Sequence, residues 1–273
     1  MPTCTVNGTE LHYLDAGRGP SAVVLLHAFP LHAGMWSRQV EALSRAHRVI
    51  AFDYPGLGRS GPPREPTTMP LLAEALRGLL AHLRVERAGV AGLSMGGYLA
   101  LEVWRKLPGA VRGLALCDTK AGADTPEGAA GREAFAASAL EHGLRWVADQ
   151  MVPKLLRPEP DAAAVHEVRE LIAGGTPAGV AAAQRGMARR PDSTATLATI
   201  TVPTLVVVGA QDGLTSPAEA QKLLAGIPGA RLATIPGAGH LPNLEAPAAF
   251  DAAIFEFLRE VLAADKTSGE APR

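Results

Sequence analysis

Near the start of the chain, two short stretches of alternating apolar and polar residues, Cys4–Val6 and Glu10–Leu14, flank Asn7-Gly8. An Asn-Gly pair supplies the positive φ angles that a two-residue hairpin turn demands, so a β-hairpin is predicted. Downstream the pattern changes to compact apolar runs closed by turn residues: Ala22–Leu26, Arg48–Phe52, Gly89–Ala91, Val111–Cys117, Thr204–Val208 and Arg231–Ile235. Most are too short for independent helices and too uniformly apolar for strands with one wet face. They read as strands buried on both faces, as in a parallel sheet. Between them lie segments of helical spacing: Trp36–Arg45, Leu71–Leu83, Met95–Leu107, Pro217–Ala225 and Pro247–Leu262. Strand alternating with helix predicts an α/β fold, a mostly parallel sheet of about eight strands flanked by helices.

One stretch breaks the alternation. From about Lys120 to Thr199 the chain is Ala-rich and helical in pattern, punctuated at Pro153, Pro158, Pro160, Gly174-Gly175, Pro177 and Pro191. That is too long for a plain loop, so a helical lid is expected over 120–199, set into a core of 1–119 and 200–264. The polar segment 265–273 is expected to be a flexible tail.

Composition narrows the function classes. The 273 residues are 47% hydrophobic, which excludes a disordered chain, and 26 Lys+Arg against 27 Asp+Glu leave a net charge of −1. Without a basic field, and with 4% aromatic residues, nucleic-acid binding is not expected. Cys4 and Cys117 are too far apart in sequence for a disulfide framework or zinc site, and Cys117 reads as a buried, inert thiol. No signal-peptide pattern opens the chain and no apolar run approaches a membrane span, so a soluble cytoplasmic protein is expected. Oligomeric state leaves no mark.

Gly56-Leu57-Gly58-Arg59-Ser60-Gly61 follows a strand and matches G-x-G-x-x-G. Pro62-Pro63 comes immediately after it and bars the helix that a dinucleotide phosphate would need. His166-Glu167-Val168-Arg169-Glu170 lacks the second histidine of a zinc motif. The informative segment is Gly92-Leu93-Ser94-Met95-Gly96, a G-x-S-x-G at the junction of an apolar strand and a helix. A serine on so tight a turn exposes its hydroxyl at a helix N-terminus, and Gly92 and Gly96 let strand and helix approach around it. Serine alone is a poor nucleophile and needs a base and an orienting acid. Asp212 follows the seventh strand and His240 the eighth, both at the carboxyl ends where α/β folds gather catalytic groups.

The order Ser94, Asp212, His240 and the surrounding motifs resemble α/β-hydrolase-fold serine hydrolases along nearly the whole chain. His27-Ala28-Phe29-Pro30 is similar to the H-G-x-P element of that family, and the resemblance implies an oxyanion hole from the backbone N–H groups of Phe29 and Met95. Ala28 stands where the family has Gly, which would strain a loop needing φ > 0. Asp53-Tyr54-Pro55-Gly56-Leu57-Gly58-Arg59-Ser60 resembles the D-x-x-G-x-G-x-S loop and is read as structural. Gly-Leu-Ser-Met-Gly-Gly with a short helical lid is nearest the 3-oxoadipate enol-lactonase, small esterase and cofactor-free perhydrolase branch. Dehalogenases and epoxide hydrolases of this fold need Asp at the Ser94 position. Asp118 ends the sixth strand, where some relatives place the triad acid; Asp212 is preferred here, with Asp118 capping the turn into the lid.

The expected activity is hydrolysis of a small carboxylic ester or lactone through an acyl-enzyme, with no cofactor and no metal. Carbon–carbon bond hydrolysis or peracid formation by the same triad, or slow-turnover ligand binding on the same fold, are the alternatives. Lys120, Arg132, Arg145, Arg185, Arg189 and Arg190 either meet a carboxylate-bearing substrate or simply solvate the lid.

Overall fold

The computed structural model describes residues 2–19 and 21–263; the tail expected over 265–273 lies outside the described residues. The Asn7-Gly8 turn, with φ of 50° and 77°, joins β1 (Thr3–Val6) to β2 (Thr9–Ala16) in the expected hairpin. β3 (Ala22–Leu26) leads through a 3₁₀ turn at Ala33–Trp36 into α1 (Ser37–Leu43). There follow β4 (Arg48–Phe52), α2 (Met69–His82), β5 (Ala88–Leu93), α3 (Met95–Lys106) and β6 (Val111–Cys117). The strands form one eight-stranded sheet in the order β1-β2-β4-β3-β5-β6-β7-β8. β1 pairs antiparallel with β2 and β2 antiparallel with β4; every other pairing is parallel.

Between β6 and β7 (Thr204–Gly209) come only helices: α4 (Pro126–Leu155), α5 (Ala162–Ala173), α6 (Pro177–Ala188) and α7 (Thr194–Leu197). α8 (Pro217–Gly226), β8 (Arg231–Ile235), α9 (Pro242–Glu245) and α10 (Pro247–Ala263) complete the chain. Every residue of β3, β5 and β7 is buried, as expected for strands covered on both faces. β8 departs from that expectation: only Ile235 of its five residues is fully buried. As an edge strand it pairs with β7 alone, which leaves its other edge without a neighbouring strand.

α10 presents Phe250, Ile254, Phe257, Leu258 and Val261 at helical spacing to the sheet, all buried. On the sheet, Gly89 and Gly113 make room for Leu258 and Val261. Cys4 and Cys117 are both buried free thiols. Among the described residues no helix is long and apolar enough to cross a membrane.

Candidate active site

β5 ends at Leu93 and α3 begins at Met95, so Ser94 is the whole connection and sits at φ 57°, ψ −114°. A left-handed φ on a side-chain-bearing residue persists only where its surroundings over-determine it. Here Thr119 Oγ1 donates to the Ser94 carbonyl at 2.8 Å, and the Ser94 N–H donates to the Cys117 carbonyl at 2.9 Å. A Cβ on Gly92 would lie 2.2 Å from the Gly96 carbonyl oxygen, and one on Gly96 would lie 2.1 Å from that of Leu26. Strand and helix meet at a distance that only glycine permits.

β7 and β8 deliver the other two groups. The carboxylate of Asp212 is held by four donors: its Oδ1 accepts from the Leu214 and Thr215 N–H groups at 2.8 and 3.0 Å. Its Oδ2 accepts from Thr215 Oγ1 at 2.7 Å and from His240 Nδ1 at 2.8 Å. Burial by itself would raise the Asp212 carboxyl, but the hydrogen bonds from His240 and Thr215 outweigh it and hold it below the usual range. His240 is wholly buried, and its Nε2 has no hydrogen-bond partner among the described residues. With Nδ1 committed to Asp212, Nε2 is left as the acceptor. Ser94 Oγ and His240 Nε2 are not joined by a hydrogen bond.

The loop after β3 supplies the third component. His27 Nδ1 donates to the Ala28 carbonyl at 3.0 Å, and Nε2 accepts the Tyr54 N–H at 3.1 Å, so the ring is neutral. Burial lowers the His27 pKa to about 4. Ala28 does not adopt a positive φ, so the departure from Gly brings no backbone strain. Met95, first residue of α3, has an N–H that the helix cannot use, and Phe29 and Ser94 line the same cavity.

Residues 23–253 match the alpha/beta hydrolase family. The chain belongs to that family. A thermophilic esterase from Thermogutta terrifontis, solved with malate bound, is 39% identical and superposes with a TM-score of 0.91, covering 95% of this chain and 97% of that one. The 3-oxoadipate enol-lactonase 1 of Acinetobacter baylyi is 31% identical over 88% of this chain and 89% of its own. Polyketide synthase ThaQ of Burkholderia thailandensis is 34% identical over 97% of this chain, which spans 13% of that protein's length.

The Asp118 of this alpha/beta hydrolase does not cap the turn into the lid, contrary to the expectation from sequence. Its Oδ1 accepts the Gly209 N–H at 2.8 Å, fastening the end of β6 to the end of β7. Burial, and after it the Asp212 charge, push its carboxyl well above the usual carboxylate range, the opposite direction from Asp212. Ligand atoms of Asp118, Asp212 and His240 lie within 4.8 Å of one another, the spacing of a metal site. Asp212 and His240 are turned to each other and to protein donors, an arrangement suited to orienting an imidazole.

Sequence reasoning missed Thr215, which bridges Asp212 and His240 (Oγ1 to Nδ1 3.2 Å), and Glu245. Glu245 accepts the Gly239 N–H at 2.8 Å and the Arg157 N–H at 2.7 Å, tying the His240 loop to the end of α4. The offset of Thr215 three residues after an aspartate was the one available signal, an Asx-type turn. The Asp53 loop is structural as read: Asp53 accepts from the Ala33 N–H, the Arg59 N–H and His12 Nδ1 at 2.8, 2.9 and 2.7 Å.

Proposed function

We propose that this hydrolase cleaves small carboxylic esters or lactones through an acyl-enzyme on Ser94, with His240 as base and Asp212 as its orienting acid. Ser94 Oγ attacks the carbonyl carbon while His240 Nε2 takes its proton. Asp212 keeps the proton of Nδ1 in place and stabilises the imidazolium that forms. The N–H groups of Phe29 and Met95 receive the oxyanion, a pair of donors each worth about 3 kcal/mol in sites of this type. His240 then protonates the departing alkoxide, and the ester bond breaks. Water attacks the acyl-enzyme with His240 as base again, and Ser94 regains its proton as the acid leaves.

The observation that carries this reading is Ser94 at positive φ on the β5–α3 turn, in one protein with a fully buried, hydrogen-bonded Asp212–His240 pair. The esterase and enol-lactonase relatives are in keeping with it. Within the same reading, residues 120–199 form a lid on a core of 1–119 and 200–264. The cavity above Ser94 supports that division, because α4 and α6 contribute Phe135, Met151 and Met187 to its walls. A fluorophosphonate probe tests the proposal. Labelling confined to Ser94, with parallel loss of hydrolysis of 4-nitrophenyl acetate, is expected; labelling elsewhere, or undiminished turnover after labelling, overturns it.

A further inference from the structure

His240 stands on the loop 236–241 between β8 and α9. Its Nδ1 is fixed by the bond to Asp212 at 2.8 Å, while Nε2 has no hydrogen-bond partner among the described residues. A bond at one end of the ring sets a distance there. Where the other end points depends on the main chain that carries the ring.

Two clamps hold that main chain. On the side of β7, the Ala210 N–H donates to the Ile235 carbonyl at 2.9 Å and the Gln211 N–H to the Ala238 carbonyl at 2.8 Å. These bonds tie the His240 loop to the loop that carries Asp212. Glu245 is the second clamp. Its Oε2 accepts the N–H of Gly239, the residue before His240, at 2.8 Å, and its Oε1 accepts the N–H of Arg157, just past α4, at 2.7 Å. The Glu245 side chain is 2% exposed. Burial raises its carboxyl, and the N–H groups of Arg157 and Gly239 act against the rise. A buried carboxylate is costly unless its oxygens are hydrogen-bonded, and here each oxygen takes a main-chain N–H.

The two segments that Glu245 joins are in close contact. A Cβ on Gly239 would lie 2.4 Å from the Arg157 nitrogen and 2.7 Å from the Leu156 carbonyl carbon. α4 in turn supplies Phe135 and Met151 to the cavity wall. Glu245 thus fastens the loop of the base to the helix that walls the cavity.

We propose that Glu245 is a positioning residue for His240, its carboxylate aiming the imidazole by holding the loop 236–241 against the end of α4. The proposal rests on the hydrolase reading above and adds to it the group that places the base. Glu245 is not among the residues lining the cavity and acts through the Gly239 N–H.

Two variants disturb the loop in different ways. Glu245→Gln keeps the shape of the side chain but exchanges one acceptor oxygen for an NH2 group, which cannot accept. Gly239→Ala presses a Cβ against Arg157. Each should lower kcat for 4-nitrophenyl acetate by about tenfold or more with KM within about threefold, because a misplaced base weakens the transition state and not substrate binding. In a His240→Ala background the same changes should alter the residual rate by less than about twofold, since the group they aim is gone. Equal losses in both backgrounds would make Glu245 a residue of general structure, and a kcat for Glu245→Gln within about twofold of wild type would leave the base placed without it. Either result overturns the proposal and leaves the hydrolase reading standing. A His240→Ala variant that hydrolyses the ester at the wild-type rate brings down both.

Discussion

A serine at φ 57° and ψ −114° costs on the order of 1–3 kcal/mol of backbone strain, and the site retains it because the hydroxyl must stand clear of both strand and helix. The hydroxyl takes no part in the packing that holds the turn, which Thr119, Gly92 and Gly96 accomplish. Ser94→Ala should therefore leave the unfolding transition in place while lowering ester hydrolysis by about a thousandfold or more. The two nearby aspartates should separate in the same assay. Asp212→Asn takes away the charge that orients the His240 Nδ1 proton and should cripple turnover, whereas Asp118→Asn keeps an oxygen to accept the Gly209 N–H and should hold the rate within about threefold. The reverse pattern would make Asp118 the acid. Ser94, Asp212 and His240 were legible because strand-end position and residue type coincide in each. Thr119, Thr215, Glu245 and the true partner of Asp118 were not, because their roles exist only across strand ends that the chain brings together in three dimensions. His27 carries a pH prediction. Its folded pKa of about 4 lies below the unfolded value of 6.5, so between the two the unfolded chain holds more protons. Its contribution to stability is complete above about pH 6.5 and lost as pH falls through about 4, and is on the order of 3 kcal/mol. Denaturant unfolding across that window should show stability falling with acid, with a flatter slope in His27→Gln; equal slopes would show that the ring takes up its proton without loss.

Helices and strands were legible wherever a local rule governs them. Val111–Cys117 and Arg231–Ile235 have the bounds expected, because turn residues close each run. α2 begins at Met69 and not at the expected Leu71: Pro70 lies within its first turn, where no N–H is needed, and Thr68 Oγ1 caps the end by accepting the Leu71 N–H at 3.4 Å. α4 holds the larger surprise. Pro153, read from sequence as one of the residues punctuating the helical segments, lies inside α4 close to its end, while the discontinuity is Gly143 at φ 76°, ψ −175°. A proline in the last turn forfeits few bonds; a residue with extended ψ and left-handed φ interrupts the ladder outright. That region of φ/ψ space is open essentially to glycine alone. A Cβ at Gly143 would meet no atom within 4 Å, so a substitution there tests the backbone and nothing else. Gly143→Ala should lower the unfolding free energy by about 1–3 kcal/mol, measured by urea titration. Unchanged stability would mean that the segment passes into a continuous helix at no cost.

At the scale of the molecule, alternation of strand and helix foretold a parallel sheet, but strand order is another matter. β4 lies between β2 and β3, a placement set by long-range pairing that periodicity does not encode. The consequence for function is that loops after β3, β5, β6 and β7 share one cavity with α4 and α6. Its lining mixes Ser94, Phe29 and Thr215 from the sheet side with Phe135, Met151 and Met187 from the helices, and its volume is about 270 Å³. Sites for drug-sized ligands run from about 300 to 1,000 Å³, so this one is small. The small side chains of the Ala-rich helices do not widen it, because the larger Phe135, Met151 and Met187 are the ones that reach inward. Within such a volume each added methylene contributes favourable burial only until the far wall is met, after which the chain must displace a methionine or leave the cavity. Across a series of 4-nitrophenyl esters, kcat/KM should therefore peak at about two to four acyl carbons and decline beyond. The variant Met187→Ala should move the peak to longer chains, since it removes bulk from the wall without touching Ser94, Asp212 or His240. A wild-type maximum at about eight carbons or more would show that α4 and α6 part readily for long acyl chains, and that the cavity volume does not set the limit.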